Sequence, residues 1–250
     1  MLVGGLSLAV SCADLSSLSR GRDGGIAPGG PDSSPAGAMD GAAHFCETLS
    51  PPSVFCRDFD EGMPLDAGLT INLTNGNIGI DLGASFSPPA SLLATTNNSV
   101  ANESASVAYT TPSTHGAHVT FQFRADQLPS DSSQVFGFYA SAPGVPDHTL
   151  VLLASNVYSG LLEQENATPQ LQTAYCAPFV MADWTKIDID FTIGTPSHVK
   201  VVVGGTPLLD TALAYTWPAV AATVGFGNNY VQSNGVQLAL RYDNITIDPH

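Results

Sequence analysis

The chain has 250 residues, and its 22 acidic against 7 basic side chains give a formal charge of −15. That balance excludes a basic nucleic-acid surface and a polybasic membrane patch. Only 12% of residues are charged while 44% are hydrophobic, which excludes a chain disordered throughout. With 24 Gly and 18 Pro, long helices are unfavourable. Composition therefore predicts a turn-rich, all-β protein with a weakly charged surface.

Met1 to Ser11 is an apolar run, shorter than the roughly 20 residues that span a bilayer. It has the length of a signal-peptide apolar segment. Leu8-Ala9-Val10-Ser11-Cys12 resembles a bacterial lipobox. The resemblance implies that residues 1–12 are a signal peptide and that Cys12 carries a lipid. The chain would then be an exported outer-membrane or cell-surface lipoprotein, with simple secretion as the alternative. Residues 13–43 are rich in Gly, Pro, Ser, Ala and Asp and contain no aromatic side chain. Such a segment cannot bury enough apolar area to offset its ordering entropy, so it reads as a flexible linker. The folded domain is expected over 44–250.

Cys46 and Cys56 lie ten residues apart around a Pro51-Pro52 bend. We expect them to form a disulfide that pins the start of the domain in an oxidising compartment. Spacing leaves a pairing of Cys176 with either of them open.

From residue 44 onward the pattern is strands. His118 to Ala125 alternates Val119, Phe121 and Phe123 against Thr120, Gln122 and Arg124, a period of two. Gln134 to Ser141 is β-branched and aromatic, and His148 to Tyr158 reads as one mostly buried strand. Trp184 to Ile193 places Ile187, Ile189 and Phe191 on one face and Lys186, Asp188 and Asp190 on the other. Val199 to Val203 and Thr206 to Leu209 flank the hairpin signal Gly204-Gly205. Val220 to Gly227 and Val236 to Ile247 close the chain. The spacing predicts about twelve to fourteen strands and no segment with helical periodicity over ten residues, which points to a sandwich or barrel.

Five segments in order carry a family resemblance. They are Phe55-Cys56-Arg57-Asp58-Phe59-Asp60-Glu61-Gly62, Ser87-Pro88-Pro89-Ala90-Ser91-Leu92, Ala105-Ser106-Val107, Trp184-x-x-Ile187-x-Ile189 and Tyr242-Asp243-Asn244-Ile245-Thr246-Ile247. Together they resemble the concanavalin A-like lectin/glucanase superfamily in its laminin-G-like branch. The resemblance implies a jelly-roll sandwich of two antiparallel sheets, its last strand pairing beside its first. Ligand sites would lie on the concave face or the loop rim. It also implies one Ca²⁺ held by Asp58 and Asp243, with Asp60 as a nearby extra carboxylate. Such ions take six to eight oxygen ligands. Laminarinase-type relatives carry Glu-x-Asp-x-Glu on one strand, and this chain has none.

Other candidates come from the residues themselves. Retaining glycosidases need two carboxyls about 5–5.5 Å apart. Glu163 and Glu165 are the nearest pair suited to this, while Asp188 and Asp190 read as a solvated face. Sugar recognition needs aromatic platforms and amides. Tyr158, Tyr175, Trp217, Asn228, Asn229 and Tyr230 offer these near strand ends. The histidines are scattered, and no zinc spacing, phosphate loop, nucleophile elbow or Cys-x-x-Cys occurs. The expectation is a non-catalytic surface domain with a glycan or a cell-surface protein as partner, no nucleic acid, and membrane contact through lipid alone. A laminarinase-like glycoside hydrolase and a purely structural surface protein are the alternatives.

Overall fold

The computed structural model describes residues 44–97, 103–129, 133–156, 159–166, 168–175 (backbone only), 179–228 and 236–250. Within them a one-turn helix α1 (Phe45–Thr48) precedes 15 strands. These are β1 (Phe55–Arg57), β2 (Thr70–Thr74), β3 (Gly76–Asp81), β4 (Ser91–Thr96), β5 (Ser104–Ser113), β6 (Gly116–Gln127), β7 (Ser133–Ala140) and β8 (His148–Ala154). Then follow β9 (Ser159–Glu165), β10 (Thr168–Tyr175), β11 (Thr185–Thr192), β12 (His198–Val203), β13 (Thr206–Ala212), β14 (Ala221–Asn228) and β15 (Leu238–Pro249).

The strands form two antiparallel sheets. One runs β13-β12-β11-β6-β15-β4-β3, with β1 also paired to β15, and the other runs β10-β9-β8-β7-β14-β5-β2. The protein is a jelly-roll sandwich. Its first and last strands pair, with Phe55 opposite Ile247.

Alternation explains which faces meet. Along β6, Val119, Phe121, Phe123 and Ala125 are buried while His118, Thr120, Gln122 and Arg124 are half-buried. On β11, Ile187, Ile189 and Phe191 turn inward beside them. The inner faces interdigitate around Phe121, Phe136, Phe226 and Tyr242, whose ring centroids lie 5.3–6.0 Å apart in successive contacts. The fully buried Tyr242 hydroxyl donates to the Val135 carbonyl at 2.6 Å, which satisfies the one polar atom this ring brings into the core.

The structure departs from the sequence reading in three places. The run from His148 to Tyr158 is not one strand. β8 ends at Ala154, and Asn156 N donates to the Pro129 carbonyl instead of continuing the ladder. β9 then returns beside β8. β2 and β3 had no counterpart in the sequence pattern, because β2 is exposed at every position and has no buried alternation to read. Finally, α1 forms where no helical period exists, held by contacts rather than by propensity.

One of those contacts is the expected Cys46–Cys56 disulfide, which joins α1 to β1. Closing a loop of ten residues contributes on the order of 2–3 kcal/mol in the chain-entropy model. Reducing the protein should therefore lower its thermal midpoint by several degrees, read by circular dichroism with and without dithiothreitol. An unchanged midpoint after verified reduction would remove the disulfide from the stability of the domain. Gly204 and Gly205, with φ of 57° and 81°, make the tight turn between β12 and β13, a conformation L side chains rarely adopt.

Candidate functional site

Three of the five segments that carry the family resemblance meet at one junction. Asp58, at the end of β1, is fully buried. It accepts from Cys46 N and Asp60 N, both at 3.2 Å. Asp60 accepts from Ala90 N at 2.8 Å. Asp243, on β15, is also fully buried and accepts from Phe86 N at 2.8 Å, Ser87 N at 2.9 Å and Asn244 N at 2.8 Å. The Ser87 hydroxyl donates to Asn244 Oδ1 at 2.7 Å and lies 3.2 Å from Asp243 Oδ1. Asp60 and Asp243 thus grip the 86–90 loop from its two ends. A carboxylate suits this task because it accepts several N–H bonds that a loop cannot satisfy internally.

Burial pushes the Asp243 carboxyl up to about 6, against the backbone and hydroxyl donors that favour its charged form. Burial also raises Asp60, and burial together with the Asp58 charge raises Glu61. Ligand atoms of His44, Asp58 and Asp60 lie within 4.8 Å of one another. Asp58 and Glu61 also approach this closely, in a group whose third member, Cys46, is in the disulfide. The carboxylates that gather with Asp58 are Asp60 and Glu61, whereas Asp243 anchors its own loop. Three carboxylates meet the oxygen preference of Ca²⁺ in part, since that ion takes six to eight oxygens.

The remaining candidates take other places. Glu163 is fully buried and accepts from Ala214 N at 2.8 Å, Tyr215 N at 3.2 Å and Trp217 Nε1 at 2.8 Å. It holds the segment after β13 rather than a substrate. Glu165 is half-buried, 3.6 Å from the His148 imidazole. Trp217, expected as a sugar platform, is 2% exposed and packs on Phe138, Phe191 and His148 inside the sandwich. Asn228 is fully buried at the end of β14. Tyr158, Asn229, Tyr230, Cys12 and Cys176 lie outside the described residues, and Tyr175 is described in its backbone alone. Asp188 is half-buried beside His118 at 3.0 Å, on the outward face as expected.

A residue the sequence reasoning missed stands on the outward face of the seven-stranded sheet. The register sets Thr110, Thr223, Tyr139, Thr149 and Gln164 side by side across β5, β14, β7, β8 and β9. The next row is Ala108, Gly225, Gly137, Val151 and Leu162. A Cβ added to Gly137 would overlap the Tyr139 hydroxyl and the Gln134 amide. The Tyr139 ring therefore lies back along its own strand, its hydroxyl over Gly137 and bonded to the Gln134 side chain. This is an aromatic surface laid on a sheet and flanked by hydroxyls and amides, with no charged side chain in either row. A glycine inside a strand marks such a close approach. Gly137 and Tyr139, two apart in the sequence, were the available signal.

No protein-family profile and no curated protein matches the chain. Solved structures do. The endo-β-1,4-glucuronan lyase of the fungus Trichoderma reesei superposes with a TM-score of 0.62 at 14% identity, covering 79% of this chain and 96% of the lyase. The cellulose-induced protein Cip1 gives 0.61 at 11% identity, over 77% of this chain and 96% of its own. The carbohydrate recognition domain of Emp46p gives 0.52 at 7% identity, over 77% and 94%. At these identities the likeness establishes the fold alone, a jelly-roll sandwich.

Proposed function

We propose that the protein is an exported, non-catalytic carbohydrate-binding domain of laminin-G-like type, and that it binds glycan on the outward face of its seven-stranded sheet around Tyr139. The observation that carries this reading is the pairing of a Tyr139 ring whose hydroxyl end lies over Gly137 with a row of Thr and Gln side chains. A pyranose presents an apolar C–H face and a fringe of hydroxyls, which match a ring and its polar neighbours. Hydrolysis needs paired carboxyls, and these two rows carry none. The carbohydrate-related names of several structural neighbours support a sugar ligand. The Cys46–Cys56 disulfide supports export, because such bonds persist in oxidising compartments. Lipid at Cys12 would tether the domain to a membrane through the 13–43 linker, and its test is mass spectrometry of the mature chain.

The experiment is a glycan array with the full chain, with and without EDTA. Tyr139→Ala is expected to weaken binding at least roughly tenfold while unfolding free energy stays within about 1 kcal/mol, since the ring is not in the core. Gly137→Val should have the same effect on binding by displacing two flexible side-chain ends. Binding that survives both substitutions would move the ligand elsewhere. A blank array with folded protein would favour a cell-surface protein partner or a structural role, and release of new reducing ends would favour a hydrolase. Calcium enters this reading as a structural ion at Asp58 and Asp60. Calcium should then raise the thermal midpoint and EDTA reverse the rise, whereas no response would remove the ion.

A further inference from the structure

The opposite face of the sandwich carries a groove of about 410 Å³, at the small end of ligand-site volumes of roughly 300–1,000 Å³. Its floor is the outward side of the eight-stranded sheet: Thr120 and Gln122 of β6, Lys186 of β11, and Asn244, Thr246 and Asp248 of β15. Its walls are apolar. They include Phe45 of α1, Leu49 just after it, and Phe86.

Each wall is fixed by an acid. Asp248 accepts from Val54 N at 2.8 Å and the Ser53 hydroxyl at 3.1 Å, which seats the segment after α1. Asp243 holds Phe86 as described above, and the Phe86 ring meets the Trp184 ring edge-on at 6.3 Å. Phe86 is nevertheless 49% exposed, a large ring half in solvent. On the floor a β-bulge between Asp243 and Thr246 sets Asn244 in a left-handed conformation, φ 50°. Such strain at a non-glycine residue clusters at functional sites. Asn244 is 6% exposed. Its Oδ1 accepts from Ser87, while its Nδ2 has no partner among the described residues. The Gln122 amide likewise makes no hydrogen bond among them.

We propose that this groove is a second ligand site and that it takes a neutral pyranose. A small ligand with one apolar face and one hydroxylated face fits between Phe86 and a floor of free amide groups. The charge pattern selects against an acidic sugar. Lys186 and His118 both face Asp188, at 3.8 and 3.0 Å, and Asp248 adds a further negative charge. Among the described residues the Asp188 and Asp248 carboxylates offset Lys186 and His118, so the groove has no net positive charge to draw a uronate, and the chain as a whole carries −15. The inference stands on the groove's own geometry and is independent of the Tyr139 face.

The test uses the full ¹⁵N-labelled chain, titrated with the methyl glycosides of glucose, galactose, mannose and glucuronic acid. The chain has 2 Trp residues, and their indole N–H signals separate the groove, beside Trp184, from the core, at Trp217. The expected result is a saturable shift of the Trp184 signal with at least one neutral glycoside while Trp217 stays still. Phe86→Ala and Gln122→Ala should each weaken that binding by roughly tenfold, and the glucuronide should bind at least roughly tenfold more weakly than the neutral ligand. Both substitutions are at outward positions, and near-UV circular dichroism checks the fold. Absence of a shift with every neutral glycoside, equal binding of the glucuronide, or indifference to both substitutions would each overturn the proposal. Repeating the titration with Tyr139→Ala separates the two faces. A retained Trp184 response supports the groove whatever becomes of the Tyr139 reading, and a lost response assigns the shift to the other sheet and overturns the groove.

Discussion

Glu163→Ala should cost about 3–5 kcal/mol of unfolding free energy, measured by chemical denaturation of the full chain. The carboxylate is fully buried and serves as the common acceptor for Ala214 N, Tyr215 N and the Trp217 indole. Removing it strands the buried Trp217 indole N–H, takes the acceptor from the partly buried Ala214 N and Tyr215 N, and leaves a cavity where the side chain was. The consequence reaches further than one residue. The segment it holds joins β13 to β14 and carries Trp217, which packs on Phe138 and Phe191, so loss of the anchor loosens the contact between the two sheets there. Glu163→Gln keeps the shape and one acceptor oxygen but turns an NH₂ group toward the donors. Its cost should fall between zero and the alanine value. A change below about 1 kcal/mol for Glu163→Ala would refute the anchoring role and return Glu163 to the list of candidate acids.

A second large effect is set by pH. The folded Asp243 carboxyl is pushed up to about 6 from an ordinary value of 3.8. Between those values the folded state holds more protons than the unfolded state, so unfolding free energy falls as pH rises from about 4 to about 6. Below that window both states are protonated and no penalty exists. Above it the penalty is complete, at most about 3 kcal/mol for a shift of this size. Asp60 and Glu61, also raised, act in the same sense. Asp81 acts oppositely, held low by its bond to Arg241, as does Asp126, where Arg241 and Arg124 outweigh burial. Their stabilisation is present above the unfolded value and is lost at more acid pH. The expected profile therefore has its maximum on the acid side of neutrality. Asp243→Asn should reduce the slope between about pH 4 and 6, because an amide does not titrate there. A denaturation series across pH on both proteins decides this, and parallel slopes would refute the assignment. The same substitution weakens the grip on Phe86 N and Ser87 N, so the Phe86 wall should gain mobility.

Local pattern carried the all-β class, the alternation on β6 and β11, the Gly204-Gly205 hairpin and the Cys46–Cys56 pairing. These follow from a period of two, from turn chemistry and from short chain separation, all properties of neighbouring residues. The convergence of Asp58, the 86–90 loop and Asp243 was legible only as an ordered set of short segments, and their contacts were not. Trp217 and Glu163 show the limit most directly. A Trp and a Glu near predicted strand ends suit a surface site as well as a buried pair. They face inward because Trp217 fills the space beside Phe138 and Phe191 and its indole needs an acceptor there. Tyr139 is the reverse case. Its strand was expected, but its place depends on register, which lays Thr223 and Thr149 on either side of it. Pairing between strands distant in the chain sets that register. By itself the sequence therefore determined the element types and the faces that alternate. Only the tertiary structure decided which polar groups became buried anchors and which remained on a face open to a ligand, because burial is a property of the partner surface and not of the residue.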